Sequence, residues 1–565
     1  MKSKHVLFAI GLGLGLTIVL ALFLARPAPV VRADPGTYYV RAGASGDCRS
    51  TATPCGSIQQ AIDMATTPGD EVWVATGVYI EHLDIAHPLS LRGGWNTSFA
   101  VQDPATYPTT IDSDGVHCIS ATVGSGAALI EGLTIEDCRD GIHLYGGTVT
   151  VTGNVVRNAS YQGIEVDGGQ VLIEGNTITG IDREGIEIDA GTVTVRSNTI
   201  SATVRNGILA EGGTALIEGN VVRSVTGTDY RGIVVTGTHT VSGNHVSIID
   251  DHGIHVQGGS ATILNNVVHD TGGDGIHADD LSIMGEMRGN TVYDTGSDGI
   301  DTRAQTSVLA SNVVYASGKD GIHVDDASTA HVQGNVIFDA NDDCVDAGGD
   351  TAFITGNLVY GCGESGIKAE AVGHTSIVGN RVYNADQDSK TEKAGIDLDD
   401  AGTFTVTNNV VADSNWASVF VETGAGPHSL LYHNTLVGSA TGQQGTGINV
   451  AVTGVTITLV NNIVVSHSVG ISTAGATLVM SHTLLWGNAD NQISGTVILP
   501  GPPLFVDPGR QDYHLLPDSP AVDAGFDVGV LTDVDGDPRP GGDDPDIGAD
   551  EFWRKTFLPI MMRDA

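Results

Sequence analysis

Ionisable side chains flank a recurring Gly-Ile dipeptide, and they are densest between residues 274 and 400. In that segment Asp320 stands directly before Gly321-Ile322 and His323 directly after it, and neighbouring repeats carry Asp or His at the same two places. Paired carboxyl groups can serve as a general acid and a general base, and Asp, Glu and His are common metal ligands. The pattern therefore favours a catalytic or ligand-binding face over an ordinary solvated surface.

The Gly-Ile dipeptide marks a repeat that runs through most of the chain. It recurs from residue 141 to residue 396, usually every 21 to 25 residues, and a Gly-Asn-x-(Val or Ile) motif keeps step with it. The segments between the two markers alternate β-branched and polar residues, as strands with one buried face do. This period predicts an all-β solenoid, in which the asparagines take left-handed turn conformations and stack their amides from coil to coil.

Each unit resembles the repeat of right-handed parallel β-helices, the pectate lyase-like fold, over roughly residues 55–490. The resemblance implies a solenoid of roughly fifteen coils. Apolar residues at helical spacing in 57–65 predict a short amphipathic helix that caps the N-terminal end. The predicted domains are a signal peptide at 1–33, a cap with entry coils at 34–110, the β-helix at 111–495, a small C-terminal attachment module at 496–552 and a tail at 553–565.

The residue after each Gly-Ile is expected to point outward, so two adjacent rows of ionisable groups should run along one face. Like charges stacked about 5 Å apart repel each other unless ions, a ligand or shared protons relieve them. A parallel β-helix offers a long flat strip, on which each coil contacts a successive unit of an extended sugar chain. The predicted partner is therefore a polysaccharide, and the residues predicted to bind it are His277, Asp301, His323 and Asp325.

Hydrolysis of a glycosidic bond requires two carboxyl groups, which neighbouring coils would supply. The chain partly resembles the polygalacturonase family, because Asp320-Gly321 is similar to the end of its Asn-Thr-Asp-Gly motif and Asp342-Asp343 to its Asp-Asp pair. The resemblance implies that Asp320, Asp342 and Asp343 are the acid and the bases that activate water. The chain departs from the family pattern at 317–319 and lacks a Gly-His-Gly at 363–366.

Cleavage by a polysaccharide lyase is a second possibility, in which calcium neutralises a uronate carboxylate while Lys368 or Arg303 removes the neighbouring proton. The calcium ligands would be Asp346, Glu370, Asp397 and Asp399. A third possibility is a metal site on neighbouring coils, formed by His255, His277, Asp274 and Asp279. The full predicted catalytic set is Asp320, Asp342, Asp343, Asp346, Lys368 and Arg303.

The charge balance excludes two classes of partner. The chain has 26 Lys and Arg against 67 Asp and Glu, a net charge of -41, which repels nucleic acid phosphates and anionic membrane surfaces. Lys2 and Lys4 precede an uncharged apolar run at 6–25, which is typical of a secretory signal; an uncleaved N-terminal anchor is the alternative. We therefore expect a secreted, monomeric protein that is attached to the cell surface.

Six cysteines, an even number in a chain expected to be exported, indicate disulfide bonds. One pair would close a small loop near the N-terminus. In each of the other two pairs, one cysteine takes the place of the repeat glycine, before Ile119 or Val345, and the other lies in the turn into the next repeat, so the bond would join neighbouring coils. The predicted bonds are Cys48–Cys55, Cys118–Cys138 and Cys344–Cys362.

From about residue 500 the sequence is rich in Pro and Asp. Segments 504–508, 518–525 and 546–552 resemble the choice-of-anchor module that follows β-helices in exported bacterial surface proteins, which implies attachment to the cell envelope. Asp533, Asp535 and Asp537 begin like a calcium loop, with Pro538 where that loop has Gly, and they are predicted to hold calcium. The alternative to a polysaccharide-cleaving protein is a non-catalytic structural or adhesive stalk.

Overall fold

The computed structural model describes residues 34–113, 115–279, 285–325, 327–387, 392–439, 445–493 and 501–553. The signal peptide predicted at 1–33 and all but the first residue of the tail predicted at 553–565 lie outside the described residues. In the described part of the chain, no helix is long and apolar enough to cross a membrane.

Each repeat alternates side chains that point inward with side chains that point outward, and this alternation closes the chain into a parallel β-solenoid of about 17 coils. In one coil Ile300, Leu309 and Val314 are fully buried, and each lies on a different strand. Equivalent residues of successive coils stack into columns that form one continuous apolar core. The predicted all-β fold is confirmed, with a coil count close to the fifteen expected.

Strands of successive coils pair in parallel and form three ladders along the solenoid. The first ladder carries the Gly-Ile repeats, on strands Leu83–Ile85, Ile119–Glu131, Ile142–Thr152, Ile164–Val166, Ile186–Ile188, Ile208–Ala210, Ile233–Thr236, Ile254–Gly258, Ile276–Ala278, Ile300–Thr302, Ile322–Val324, Val345–Thr355, Ile367–Val378, Ala394–Leu398, Ala417–Val421, Thr446–Val450 and Val469–Thr473. Its four longest strands, Ile119–Glu131, Ile142–Thr152, Val345–Thr355 and Ile367–Val378, continue into the second ladder.

The second ladder follows the first along each coil, and the third follows the second. The further strands of the second ladder are Thr37–Val40, Asp70–Ala75, Leu89–Trp95, Gln170–Glu174, Thr192–Arg196, Thr214–Glu218, His239–Ser242, Ala261–Leu264, Glu286–Arg288, Thr306–Ala310, Thr329–Gln333, Thr403–Thr407, Ser429–Tyr432, Thr456–Val460 and Thr477–Ser481. The third ladder comprises Gly77–Ile80, Thr109–Asp112, Thr134–Glu136, Val155–Arg157, Thr177–Ile181, Thr199–Thr203, Val221–Val225, His245–Ile249, Val267–Thr271, Thr291–Thr295, Val313–Ser317, Val336–Phe338, Leu358–Tyr360, Arg381–Tyr383, Val410–Ala412, Thr435–Val437, Ile463–Val465 and Leu484–Trp486.

The predicted N-terminal helix spans Ile58–Met64 and packs on the first strands of the solenoid. Ser57 caps it, because its side chain accepts a hydrogen bond from the backbone N–H of Gln60. The carboxylate of Glu81 accepts the backbone N–H of Ile58 at 2.8 Å and so satisfies a further free donor of the first turn.

A buried column of asparagines lies between the second and third ladders. Nδ2 of Asn290 donates to Oδ1 of Asn312 at 3.0 Å and to the carbonyl of Ile263 at 3.0 Å, and the other members repeat this pattern. The expected stacking of amides is confirmed. The expectation that the asparagines take the left-handed conformation is wrong, because that conformation falls on the preceding residue, such as Gly289 at φ 66°.

All three predicted disulfide bonds are present. The bonds Cys118–Cys138 and Cys344–Cys362 join Cα atoms 5.6 and 5.4 Å apart, and Cys48–Cys55 closes a loop at the N-terminal end. The two longer-range bonds link neighbouring coils, as the repeat positions of their cysteines predicted.

The C-terminal residues 501–553 lie across the outer face of the third ladder. Strand Asp512–Leu515 pairs antiparallel with Phe505–Asp507 beside the short 3-10 helix Pro508–Arg510, and its Tyr513 packs into an apolar cluster with Tyr383 of the solenoid. Within this segment the buried guanidinium of Arg539 pairs with Glu551 at 2.7 Å. The segment is thus built onto the solenoid.

Candidate active site on the first ladder

The outward row predicted from the Gly-Ile repeats is present, and its members are register partners on successive strands. In chain order they are His255, His277, Asp301, His323, Asp346, Lys368, Asp397 and Phe420. Successive members stand about 4.8 Å apart, the spacing of paired strands. From His255 to Asp397 the row therefore offers one ionisable group per coil, and its next two members are the uncharged Phe420 and Asn449.

The acidic residues directly before the Gly-Ile positions form a second column, which is largely buried. Oδ1 of Asp298 accepts the backbone N–H of Asp320 at 2.9 Å, Oδ1 of Asp320 accepts that of Asp343 at 2.8 Å, and Oδ1 of Asp343 accepts that of Ser365 at 2.6 Å. One oxygen of each carboxyl group thus acts as a backbone acceptor of the turn. The other oxygen takes no part in this bond, and that of Asp298 lies 3.9 Å from Nδ1 of His323.

Imidazole and carboxylate groups surround His277. Its Nδ1 lies 3.0 Å from Oδ2 of Asp274 and 2.9 Å from Oδ2 of Asp301, and its Nε2 lies 3.1 Å from Oδ1 of Asp279. Burial disfavours protonation, but the hydrogen bonds to Asp274 and Asp301 outweigh it and raise the pKa of His277 to about 10. His277 is therefore a cation held by carboxylates.

The predicted sugar-binding residues fall into two places. His323 Nδ1 lies 3.2 Å from Oδ1 of Asp301, and although burial opposes it, this contact raises the pKa of His323 to about 9. The structure therefore brings His277, Asp301 and His323 into contact. Asp325 lies two residues after His323, in the second of the two rows, which runs beside the row of His277, Asp301 and His323.

Three carboxyl groups, those of Asp320, Asp343 and Asp346, lie together on the next two coils. Burial, followed by the negative charge of Asp343, raises the pKa of Asp320 to about 8. Burial and the charge of Asp346 raise the pKa of Asp343 to about 6. Asp343 is 4% exposed, whereas Asp320 and Asp346 are partly open to solvent. At neutral pH Asp320 therefore keeps its proton while Asp343 is mostly ionised.

Lys368 lies beside this carboxyl group cluster. Its Nζ is 3.3 Å from Oδ2 of Asp346 and also contacts Glu370, and these carboxylates hold the pKa of Lys368 well above its usual range despite its burial. In turn, burial raises the pKa of Asp346 and the charge of Lys368 offsets part of that rise. Lys368 is thus a fixed cation that favours the ionised form of Asp346.

Lys393 was missed by the sequence analysis. Its Nζ lies 2.8 Å from Oε2 of Glu364, and its charge lowers the pKa of Asp343. A sequence signal for Lys393 was present, because it stands two residues before the glycine of a Gly-Ile repeat. Lys319 stands at the same place in its own repeat. Within the described ranges all lysines, namely Lys319, Lys368 and Lys393, lie on these coils.

Two predicted catalytic residues lie at the margins of the face. Asp342 is half-buried in the same turn column as Lys319, and its backbone N–H donates to the carbonyl of Lys319 at 3.2 Å. Arg303 is exposed, and it lies in the same row as Asp325, one coil before it. The structure therefore groups Asp320 with Asp343 and Asp346 more closely than with these two residues.

The four predicted calcium ligands form two pairs on neighbouring coils. The pairs are Asp346 with Glu370, and Asp397 with Asp399. Asp346 and Glu370 meet at Lys368. Asp397 is 1% exposed and accepts a hydrogen bond from Ser365 Oγ at 3.2 Å, and Asp399 accepts one from Thr423 Oγ1 at 2.8 Å. Calcium binding by these residues stays a prediction.

The acidic segment 533–537 is tied to its surroundings. Oδ1 of Asp533 accepts the backbone N–H groups of Asp535 at 2.9 Å and Asp537 at 2.8 Å. The carboxylate of Asp535 contacts Arg381 of the third ladder and lies 2.7 Å from Nε2 of His514. The segment therefore fastens the C-terminal residues to the solenoid, and a calcium ion there stays a prediction.

A stack of rings on the outside of the third ladder is not a surface on which sugars can lie flat. Ring centroids in the stack are 4.6 to 4.8 Å apart with nearly parallel planes, and its members are His269, Tyr293, Tyr315, Phe338 and Tyr360. Each inner ring has both faces covered by its neighbours, so the stack presents ring edges to solvent. The first ladder remains the candidate site.

The sequence matches a family model described as the right handed beta helix region over residues 114–261, 226–314 and 303–482, which is more than half of the chain. The chain therefore belongs to this right-handed β-helix family. A search of curated proteins finds no match.

Among solved structures, the enzymatically active domain of bacteriophage CBA120 tailspike protein 2 is similar at 12% identity and a TM-score of 0.29, over 51% of this chain and 48% of that one. The chain thus spans about half the length of that domain. Pectate lyase Pel9A is similar at 13% identity and a TM-score of 0.20, over 92% and 97%. The catalytic unit of a GH87 alpha-1,3-glucanase from Streptomyces thermodiastaticus is similar at 14% identity and a TM-score of 0.26, over 75% and 66%.

Proposed function

We propose that the face of the first ladder between residues 274 and 400 binds an extended polysaccharide and hydrolyses a glycosidic bond at Asp320 and Asp346. The observation that carries this proposal is the contrast between two neighbouring carboxyl groups. Asp320 is buried among other carboxylates, and within the described residues its carboxyl group forms no ion pair, whereas Asp346 has Lys368 at 3.3 Å. Two carboxyl groups whose environments drive their protonation states apart suit an acid and a base.

The roles follow from these environments. Asp320, with a pKa of about 8, donates its proton to the oxygen of the leaving sugar. Asp346, whose ionised form Lys368 favours against the effect of burial, accepts a proton from the water that attacks the anomeric carbon. Asp343 holds Asp320 in place, because its backbone N–H occupies Oδ1 and leaves Oδ2 to carry the proton.

The two rows of the face supply binding positions on both sides of the acid and the base. His323 and Asp325 lie on the N-terminal side, Glu370 and Asp399 lie on the C-terminal side, and all four residues are partly exposed. Because each coil advances by about 4.8 Å, successive sugar units meet successive side chains. A long, unbranched polysaccharide is therefore the expected substrate.

Lyase chemistry is the second candidate, and the clustering of Lys319, Lys368 and Lys393 on these coils favours it. Lysine ammonium groups concentrated on one part of an acidic chain suit a substrate with carboxylates, such as a polyuronate. Asp346 and Glu370 offer the oxygen donors that calcium prefers, and bound calcium would neutralise the uronate carboxylate. Lys368 would have to lose its own proton before it could remove the proton next to that carboxylate, and calcium bound to Asp346 and Glu370 would favour this by neutralising the charges that raise the pKa of Lys368.

Incubation of the purified full chain with neutral and uronate polysaccharides, with calcium or with chelator, separates the candidates. Hydrolysis predicts new reducing ends without unsaturated products and without dependence on calcium. Elimination predicts unsaturated products that require calcium. Asp339→Asn, which changes an exposed residue beyond the third ladder, is the matched control for variants of the face. A chain that cuts none of the substrates would instead be the non-catalytic stalk.

The protein is further proposed to be exported, monomeric and attached to the cell envelope through residues 496–552. Three disulfide bonds support export, because such bonds persist in oxidising compartments. Protease treatment of intact cells tests surface display, and light scattering of the purified chain tests the monomer. Loss of surface display after deletion of residues 496–552, with the solenoid still folded, is the result expected of an attachment module.

A further inference from the structure

We propose that His255, His277 and Asp279 bind one divalent transition-metal ion, at a site on the same face but N-terminal to the carboxyl groups assigned to catalysis. His255 and His277 are register partners on adjacent strands. Nε2 of His255 lies 3.2 Å from Oδ1 of Asp279, and Nε2 of His277 lies 3.1 Å from the same oxygen. Two imidazole nitrogens therefore converge on one carboxylate oxygen.

These separations fit an ion. Donors that surround a tetrahedral zinc ion at about 2.1 Å stand about 3.4 Å from one another. The three donor atoms lie within 4.8 Å of one another, and the two distances to the carboxylate oxygen are within about 0.3 Å of the tetrahedral value. Only small side-chain rotations are needed to admit the ion.

The second observation is that His255 is buried and that neither of its ring nitrogens forms a hydrogen bond with any described residue. The residue is 5% exposed, and within the part of the chain that the structure describes both Nδ1 and Nε2 lack a hydrogen-bond partner, although Nε2 lies 3.2 Å from Oδ1 of Asp279. Burial of an unpaired polar group is costly, and most such groups in folded proteins are satisfied. A metal ion bound to Nε2 removes this cost for that nitrogen.

His277 is held as metal-binding histidines commonly are. Its Nδ1 contacts the carboxylates of Asp274 at 3.0 Å and Asp301 at 2.9 Å, so its Nε2 is directed toward Asp279. A carboxylate behind a ligating imidazole fixes the ring and increases its donor strength. The ion would replace the proton through which Nε2 of His277 now contacts Asp279.

His252 supports the site without being a ligand. Its ring stacks on that of His277 with centroids 4.6 Å apart, and its Nδ1 accepts the backbone N–H of Asp274 at 3.0 Å. That nitrogen is therefore occupied, and the stacking keeps His277 in its orientation.

The donor set selects the class of metal. Imidazole nitrogens favour zinc, cobalt, nickel and copper, whereas calcium and magnesium favour oxygen donors only. Three protein ligands leave the fourth position of a tetrahedral ion open. The side chain of Asp279 is 42% exposed, so that position faces solvent, where a water molecule or a sugar hydroxyl group can occupy it.

The test is metal binding by the full chain, purified without a histidine tag and stripped with chelator. Titration with Co²⁺ and Zn²⁺ should show one equivalent more in the wild type than in His255→Gln or Asp279→Asn, and the bound Co²⁺ should give visible absorption bands. His374→Gln, which changes a histidine on the second ladder, should bind as the wild type does. Thermal unfolding in chelator checks that all variants are folded.

Equal uptake by the wild type, His255→Gln and Asp279→Asn would overturn the proposal, as would a wild type that binds no ion. Other histidines, such as the His245 and His269 pair on the third ladder, contribute equally to every chain and cancel in this comparison. The result does not depend on polysaccharide cleavage, so it stands apart from the test of the proposed function.

Discussion

Oδ1 of Asp320 accepts the backbone N–H of Asp343 from the next coil at 2.8 Å. The repeat thus fixes the carboxyl group of Asp320 through one oxygen and leaves the other to carry a proton. Because the position before each Gly-Ile has this structural role in several coils, an Asp there is explained without chemistry. What distinguishes Asp320 is its raised pKa, which results first from burial and then from the negative charges of Asp343, Asp298 and Asp346.

The rate of cleavage should fall at alkaline pH. Asp320 must be protonated to act as the acid, and its pKa is about 8, so activity should be lost as the pH rises through that value. The pH dependence of kcat/KM checks this, because its alkaline limb reports the acid of the free enzyme. A profile that stays level to pH 10 would mean that another group donates the proton.

Lys368→Gln should slow hydrolysis by about tenfold without abolishing it. Loss of the cation removes the charge that favours the ionised form of Asp346, so the acid limb of the pH profile should move to higher pH. The measurement is kcat/KM against pH for both chains. Complete loss of activity, with unsaturated products from the wild type, would identify Lys368 as the base of a lyase.

Glu187→Gln should stabilise the protein at pH 8 and not at pH 4. Burial raises the pKa of Glu187 from 4.5 to about 7, so the folded chain binds this proton more tightly and loses stability as the pH rises between those values. Allowing for its partial exposure, the gain at pH 8 should be about 1 kcal/mol. Urea unfolding at both pH values measures it. Glu211→Gln, at an exposed position, is the control and should change little.

Replacement of Cys344 and Cys362 by Ser should lower the free energy of unfolding by about 3 kcal/mol. The bond spans 18 residues and restricts the unfolded chain while it links two coils that also carry Asp343 and Asp346. Denaturant midpoints of the variant and of the wild type, each with and without reductant, provide the measurement. A variant as stable as the oxidised wild type would contradict this.

Asn290→Ala should cost about 3 kcal/mol of stability. Its fully buried amide donates to Asn312 and to the carbonyl of Ile263, and its Oδ1 accepts from Asn266, so truncation leaves buried groups unpaired. Unfolding in guanidinium chloride measures the change. Asn341→Ala removes an exposed asparagine with a 3.2 Å bond to the Gly318 carbonyl, and it should cost less than about 0.5 kcal/mol.

The repeat and the outward row follow from the sequence because their period is local. Neighbouring residues of a strand point to opposite faces, so Ile300 points into the core and Asp301 points outward. The Gly-Ile dipeptide then sets the register between coils. The disulfide bonds follow for the same reason, since Cys344 and Cys362 hold defined places in the repeat.

The remaining features depend on contacts that no local pattern encodes. Arg381 meets Asp535, which lies 154 residues away along the chain, so the packing of the C-terminal residues on the third ladder was not predictable. The left-handed turn falls on Gly289, one residue before the asparagine that was expected to adopt it. Asp343 is buried, whereas Asp342, its neighbour in sequence, is half-buried. Only the three-dimensional structure shows this difference.

The most direct test of the central claim compares the wild type with Asp320→Asn on a panel of polysaccharides at pH 6, with the release of reducing ends as the measurement. The amide preserves the acceptor that binds the backbone N–H of Asp343 and removes the acidic proton. The account predicts cleavage by the wild type, and a variant that folds normally but is slower by about 100-fold or more. Equal rates for the two chains, or no cleavage by either of them, would contradict it.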